Sequence, residues 1–72
     1  MQEMELLSVV ALLVDLPDAG LERGQVGTVV EQLTPGVCEV EFNDDNGRTY
    51  ASLAIRSDQL LRLHHQPTHQ AA

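Results

Sequence analysis

Gly24-Gln25-Val26-Gly27-Thr28-Val29-Val30, followed a short distance on by Cys38-Glu39-Val40-Glu41-Phe42, decides the fold of this chain. Two glycines set around a valine-rich run mark a backbone that must bend sharply or pass close to a neighbour, where a side chain would obstruct it. The second run alternates strictly, so Cys38, Val40 and Phe42 share one face of a strand while Glu39 and Glu41 share the other. Together the two runs predict adjacent strands of a very small β-barrel, the first face in the core and the second in water.

Between them, Thr34-Pro35-Gly36-Val37 puts proline and glycine at the two central positions of a type II turn, which makes the pair a hairpin. The glycine-containing strand is expected over about 25–33. Val26 and Val29 cannot share a face of a regular strand, which places a bulge or tight bend at Gly27. Beyond the acidic strand, Asp44-Asp45-Asn46-Gly47 is a tight turn in which Asn-Gly accepts the positive φ angles of a type I′ hairpin. A fourth strand is expected over about 48–55, with Ala51, Leu53 and Ile55 inward and Tyr50 and Ser52 outward. Ser57-Asp58-Gln59 forms one short helical turn capped by the Ser57 hydroxyl, and a last strand from Leu60 to Leu63 or His64 turns Leu61 and Leu63 inward.

Upstream, the dense apolar stretch 6–14 contains a strand at about 9–14, with Glu3-Met4-Glu5-Leu6-Leu7 as an alternative short helical turn before it. Asp15 to Arg23 holds a proline, a glycine and three acids and reads as a loop. The expected organisation is an N-terminal extension at 1–7, one barrel domain at 8–65 and a flexible tail at 66–72.

Size and composition narrow the function classes. A chain of 72 residues has room for one domain, which buries only about 60% of the surface its unfolded form exposes. A hydrophobic content of 43% suits a folded core. The single cysteine cannot form an internal disulfide, which points to a reduced, cytoplasmic setting. The acidic start, Met1 to Glu5, lacks the positive region of an export signal, and the longest apolar run, Val9 to Val14, falls far short of the roughly 20 residues that span a bilayer. No membrane partner is expected. Eleven acidic residues face four arginines, with no lysine, for a net charge of −7. Because nucleic-acid affinity comes mainly from cations that displace counterions from phosphates, this balance disfavours DNA and RNA and favours a basic protein partner.

Five short strands, a long first loop, two tight hairpins and one helical turn before the final strand describe an SH3-like barrel. Residues 24–30, with Val40, Phe42 and Leu53 downstream, resemble the KOW-type version of that barrel found in transcription and ribosomal proteins. Residues 8–63 as a whole are similar to a family of small bacterial proteins of unknown function. In that family segments like Asp15-Leu16-Pro17, Arg23 to Val30 and Asn46-Gly47-Arg48-Thr49-Tyr50 recur in this order. The resemblance implies the fold, and its KOW version implies RNA contact through loops near Gly24 and Gly27. The charges oppose that contact: Arg23, Arg48, Arg56 and Arg62 are scattered, and the loops carry Asp18, Glu22, Asp44 and Asp45. Gly24, Gly27, Pro35, Gly36, Asn46 and Gly47 are therefore read as residues that shape turns.

Among the chemistry-bearing side chains, only an interaction surface stands out. Peptide grooves and methyl-lysine cages need several aromatic residues, and this chain has Phe42, assigned to the core, and Tyr50, left as an interface anchor. Glu39 and Glu41 share a strand face with Glu31 on the paired strand nearby, and Asp15, Asp18 and Glu22 add an acidic loop. As a catalytic pair the glutamates lack the burial that would tune them. His64, His65 and His69 do not follow metal-site spacing, and Asn43 to Gly47 resembles part of a calcium loop but has Ala54 where the bidentate glutamate belongs. Cys38 sits beside Glu39, which disfavours a thiolate, and Ser8, Ser52 and Ser57 carry no nucleophile signature. No catalytic residue, metal or cofactor is expected. The sequence predicts a non-enzymatic acidic module that binds a basic protein, as an antitoxin-like or regulatory partner. The alternatives are a nucleic-acid-associated KOW-like domain and an accessory domain that steadies an enzyme subunit through an apolar patch.

Overall fold

A computed structural model describes residues 4–64; His65, His69 and the expected tail lie outside the described residues. Five strands form one antiparallel sheet: β1 (Val9–Leu12), β2 (Val26–Thr34), β3 (Val37–Asn43), β4 (Thr49–Arg56) and β5 (Leu60–Arg62), in the order β4-β3-β2-β1-β5. Two 3-10 turns, Pro17–Ala19 and Ser57–Gln59, complete the set. The all-β class, the five strands and the helical turn before the last strand are those the sequence predicts.

Alternation on β1 and β3 supplies half of the core residues. Val10 and Leu12 point inward from β1, and Cys38, Val40 and Phe42 from β3, all nearly inaccessible to water. No helix or second sheet lies over this inner face among the described residues, so burying Val29, Val40 and Phe42 to 0% exposure requires the sheet to roll over itself. β2 makes the roll possible because it serves two neighbours. Its start pairs with β1, its remainder with β3, and Thr28 lies opposite both Val9 and Glu41.

Gly27 is buried at this crossing, where an added Cβ would meet Val40 Cγ1 at 2.7 Å, the Glu41 carbonyl oxygen at 2.9 Å and Phe42 Cδ1 at 2.9 Å. The close approach expected at this glycine is present, but the bulge is not. The register runs regularly through Gly27 and slips instead between Val29 and Glu31 and between Gln32 and Thr34. A bulge is a property of two strands paired together, so the spacing of valines in one strand does not locate it.

The Pro35-Gly36 turn forms, with Gly36 at φ +80°. The second hairpin departs from its expected geometry. Gly47 has φ +81°, yet Asn46 is not among the residues with positive φ, so this is not a type I′ turn. Asp44 organises it: the Gly47 amide donates to the Asp44 carbonyl oxygen at 3.0 Å, and Asp44 Oδ1 accepts from the amides of Asn46 and Arg48, each at 2.9 Å. A side chain that satisfies two turn amides replaces the backbone geometry that Asn-Gly would otherwise supply.

Three further expectations are corrected. Leu61 and Leu63 are not the inward residues of β5; Leu60 is buried opposite Leu12, and Leu61 faces outward opposite Ala11. Ser57 does not cap its turn. Its buried hydroxyl and amide both donate to the Gly36 carbonyl oxygen, at 3.2 and 2.8 Å, which ties the turn to the first hairpin. The packed unit also begins before residue 8: Met4 joins the core, and the Leu7 amide donates to the Val29 carbonyl oxygen at 2.7 Å. Leu7 holds φ +67° in this turn, a left-handed conformation that costs a branched residue about 1–2 kcal/mol.

Candidate functional site

The carboxylates that the sequence singles out fall into two groups. Glu39 and Glu41 lie on the outer face of β3, and the slip after Val29 brings Glu31 of β2 directly opposite Glu39. Without that slip Glu31 would be out of register with the acidic face, so the bulge at Val30 is what assembles the three. Ser52 of β4, opposite Glu41, donates its hydroxyl to Glu39 Oε2 at 2.8 Å. No arginine is ion-paired with these glutamates among the described residues: Arg62 pairs with Glu5 at 3.4 Å, and Arg56 pairs with Asp58.

The second group is the loop between β1 and β2. Asp15 Oδ1 accepts from the Arg23 amide at 2.8 Å, and Leu16 bridges to Leu21, which closes the loop into a small ring around the Pro17–Ala19 turn. Leu21 is driven into the core at its far end, an anchor that an isolated leucine among acids and glycine gave no periodic signal to find. Asp15, Pro17, Gly20, Leu21 and Glu22 line an open depression of about 590 Å³, with Asp18 outside its lining. Its charged groups are two carboxylates, Asp15 and Glu22, which suit a cation.

Tyr50 links the groups. It is the extra residue where the β3–β4 register slips between Phe42/Ala51 and Asn43/Thr49, which swings its ring outward, 6.4 Å from the buried ring of Phe42. Gln25 Nε2 donates to the Tyr50 hydroxyl at 3.1 Å, while Gln25 Oε1 accepts from the Glu22 amide. Tyr50 thus stands between the acidic loop and Ser52, whose hydroxyl reaches Glu39. Gln25 is the residue sequence reasoning missed; its role depends on a contact twenty-five positions away.

The remaining chemistry is dispersed. Cys38 is buried, His64 is exposed at the end of the described chain, and no three His, Cys, Asp or Glu side chains gather as metal ligands among the described residues. No helix among the described residues is long and apolar enough to cross a membrane.

Residues 6–62 match the family described as Domain of unknown function (DUF4926). The chain belongs to this family. The matched span reaches from the Leu6-Leu7 turn to the end of β5 and so takes in both carboxylate groups and Tyr50. No curated protein and no solved structure matches the chain.

Proposed function

We propose that this chain is a non-enzymatic, acidic protein-binding module whose carboxylate face docks a basic protein. In its most concrete form it is an antitoxin-like or regulatory subunit in the cytoplasm that covers the cationic working surface of a larger partner. We read its rolled sheet as an SH3-like barrel of KOW type, used as a platform for side chains.

The observation that carries this reading is the placement of Glu31 directly opposite Glu39, with Glu41 one step along the same face. Like charges directly opposite each other destabilise a sheet. A cationic surface laid over the face relieves that repulsion in the complex, so the arrangement favours the bound state over the free one. The exposed loop carboxylates Asp15, Asp18 and Glu22, with Glu22 joined to the exposed Tyr50 through Gln25, are further contacts we assign to the same partner. By contrast, a nucleic-acid surface is poorly supported: Arg56 and Arg62 are engaged by acids, and Arg23 and Arg48 lie in different loops.

Affinity capture with the whole chain, at low and at half-molar salt, tests this reading. Attraction between exposed charges is screened within about 8 Å at physiological ionic strength. The expected result is a basic protein retained at low salt, released at high salt and lost in the Glu31→Gln/Glu39→Gln/Glu41→Gln variant. A complex indifferent to salt and to that variant would refute it.

A further inference from the structure

The two ends of the sheet are finished differently. β5 is three residues long, whereas β4 runs for eight and contains no proline, glycine or lysine. Short length, proline, a bulge or a charge is how an edge strand is usually kept from pairing with another chain. In β4 the register slip sits at Tyr50, near one end, and the run from Ala51 to Ile55 is regular and uncharged. Among the described residues the main-chain partner of this run is β3 alone, so every other amide and carbonyl along it faces away from the sheet without a partner.

Both faces beside this edge are unfinished as well. On the inner face, Cys38, Val40 and Phe42 of β3 are buried to 1% exposure or less, but Ala51 and Leu53 of β4 pack against the core while remaining half-exposed. On the outer face, the residues between the glutamates and the edge are small: Ser52 lies opposite Glu41, and Ala54 opposite Glu39. Glu39 already leans over β4, where its Oε2 accepts the Ser52 hydroxyl at 2.8 Å. Arg56, the one cation of the strand, is taken up by Asp58.

We infer that β4 is a docking edge for an extended basic segment of a partner protein, which joins the sheet as a further strand with cationic side chains on its outer face and apolar ones on its inner face. Main-chain hydrogen bonds to alternate β4 residues hold such a strand, and its alternate side chains decide which segment fits. The added strand lies about 10 Å from β3, two strand spacings away. A lysine or arginine crosses that gap over Ser52 and Ala54 to meet Glu41 and Glu39. The inward residues of the same segment complete the cover over Ala51 and Leu53. This inference rests on the acidic-face reading for the sign of the partner, and adds the edge along which the partner's chain runs.

Titration of the whole chain with a synthetic peptide of alternating lysine and valine, matched to β4 in length, tests it, with amide exchange followed residue by residue by NMR. Two twins of equal charge carry backbone N-methyl groups at every lysine or at every valine. The expected result is binding that slows exchange of alternate β4 amides. One twin alone should bind about tenfold or more weakly, because only its methyl groups replace the donors that face β4. The Glu39→Gln/Glu41→Gln variant should also weaken the unmethylated peptide about tenfold. Twins that bind alike, or exchange unchanged along β4, overturn strand addition and leave the acidic-face reading standing. A peptide that protects β4 equally well in the Glu39→Gln/Glu41→Gln variant overturns the choice of a basic segment, and with it the acidic-face reading. Protection of β4 that rises with protein concentration before any peptide is added overturns the proposal too and assigns the edge to a second copy.

Discussion

β1 and β3 lie in the same sheet, one strand apart, and bury the same kind of inward residue, yet their outward residues diverge after a valine at the start of each. β3 presents Val37 and then Glu39, Glu41 and Asn43, and β1 presents Val9 and Ala11. Inward residues must fill one core, so they are constrained alike. Outward residues contribute little to folding and are free to differ, so a difference there concerns what each strand meets after folding. The comparison separates what the sequence needs to fold from what it leaves on the surface, charge on one half and apolar side chains on the other.

The largest expected effects test whether the inner faces are equivalent. Phe42→Ala should cost about 4 kcal/mol and Leu12→Ala about 3 kcal/mol, because each empties a fully buried site. Either loss is a large share of the about 4–11 kcal/mol that 72 residues hold at about 0.05–0.15 kcal/mol per residue. Urea denaturation should find both midpoints lowered steeply, while the outward Val26→Ser changes stability by less than about 0.5 kcal/mol. Equal losses at inner and outer positions would break the division.

A smaller effect is expected where β2 passes from one neighbour to the other. Gly27→Ala adds a methyl into contact with Val40, Phe42 and a backbone oxygen, and only the side chains can yield. A loss of about 2 kcal/mol is expected, the usual scale of overpacking, and a two-state melt measures it. A neutral result would mean that β3 is held less tightly over the start of β2 than these distances imply.

How much of this was legible beforehand depended on whether a feature belongs to one strand or to two. The alternation 38–42 and the Pro35-Gly36 turn are local, and both read true. The parity of Leu60, Leu61 and Leu63 was not legible, since adjacent leucines suit either face and the pairing of Leu60 with Leu12 decides. The bulge at Val30, which alone brings Glu31 opposite Glu39, is likewise a joint property of β2 and β3. The acidic face could therefore be named residue by residue but not assembled. The Asn46-Gly47 turn misled because Asp44 supplied a competing side-chain solution.

The turn before β1 sharpens the comparison from the apolar side. Leu7 is 75% exposed and holds a left-handed backbone that glycine adopts freely. Leu7→Gly should therefore stabilise the monomer by somewhat under about 1 kcal/mol, the relief of strain less the greater flexibility of glycine when unfolded. A gain in thermal midpoint without loss of secondary structure is the expected reading. A loss would mean that Leu7, despite its exposure, packs against the face it borders.

The smallest expected effect lies on the acidic side. Glu31→Gln removes one charge of the directly opposed pair while leaving the strand, its register and the Ser52–Glu39 hydrogen bond in place. Relief of a cross-strand like-charge contact stabilises by roughly 0.3–0.5 kcal/mol, which for a domain of this size raises the thermal midpoint by about 2–3 °C. The signature is its salt dependence. The gain should be clear at low ionic strength and fade toward molar salt, where the screening length falls to about 3 Å. Ala54→Gln, a neutral change opposite Glu39 on its other side, should show no such dependence. A gain that survives molar salt would trace to side-chain packing rather than charge, and would remove the cross-strand repulsion on which the proposed docking of a basic partner rests.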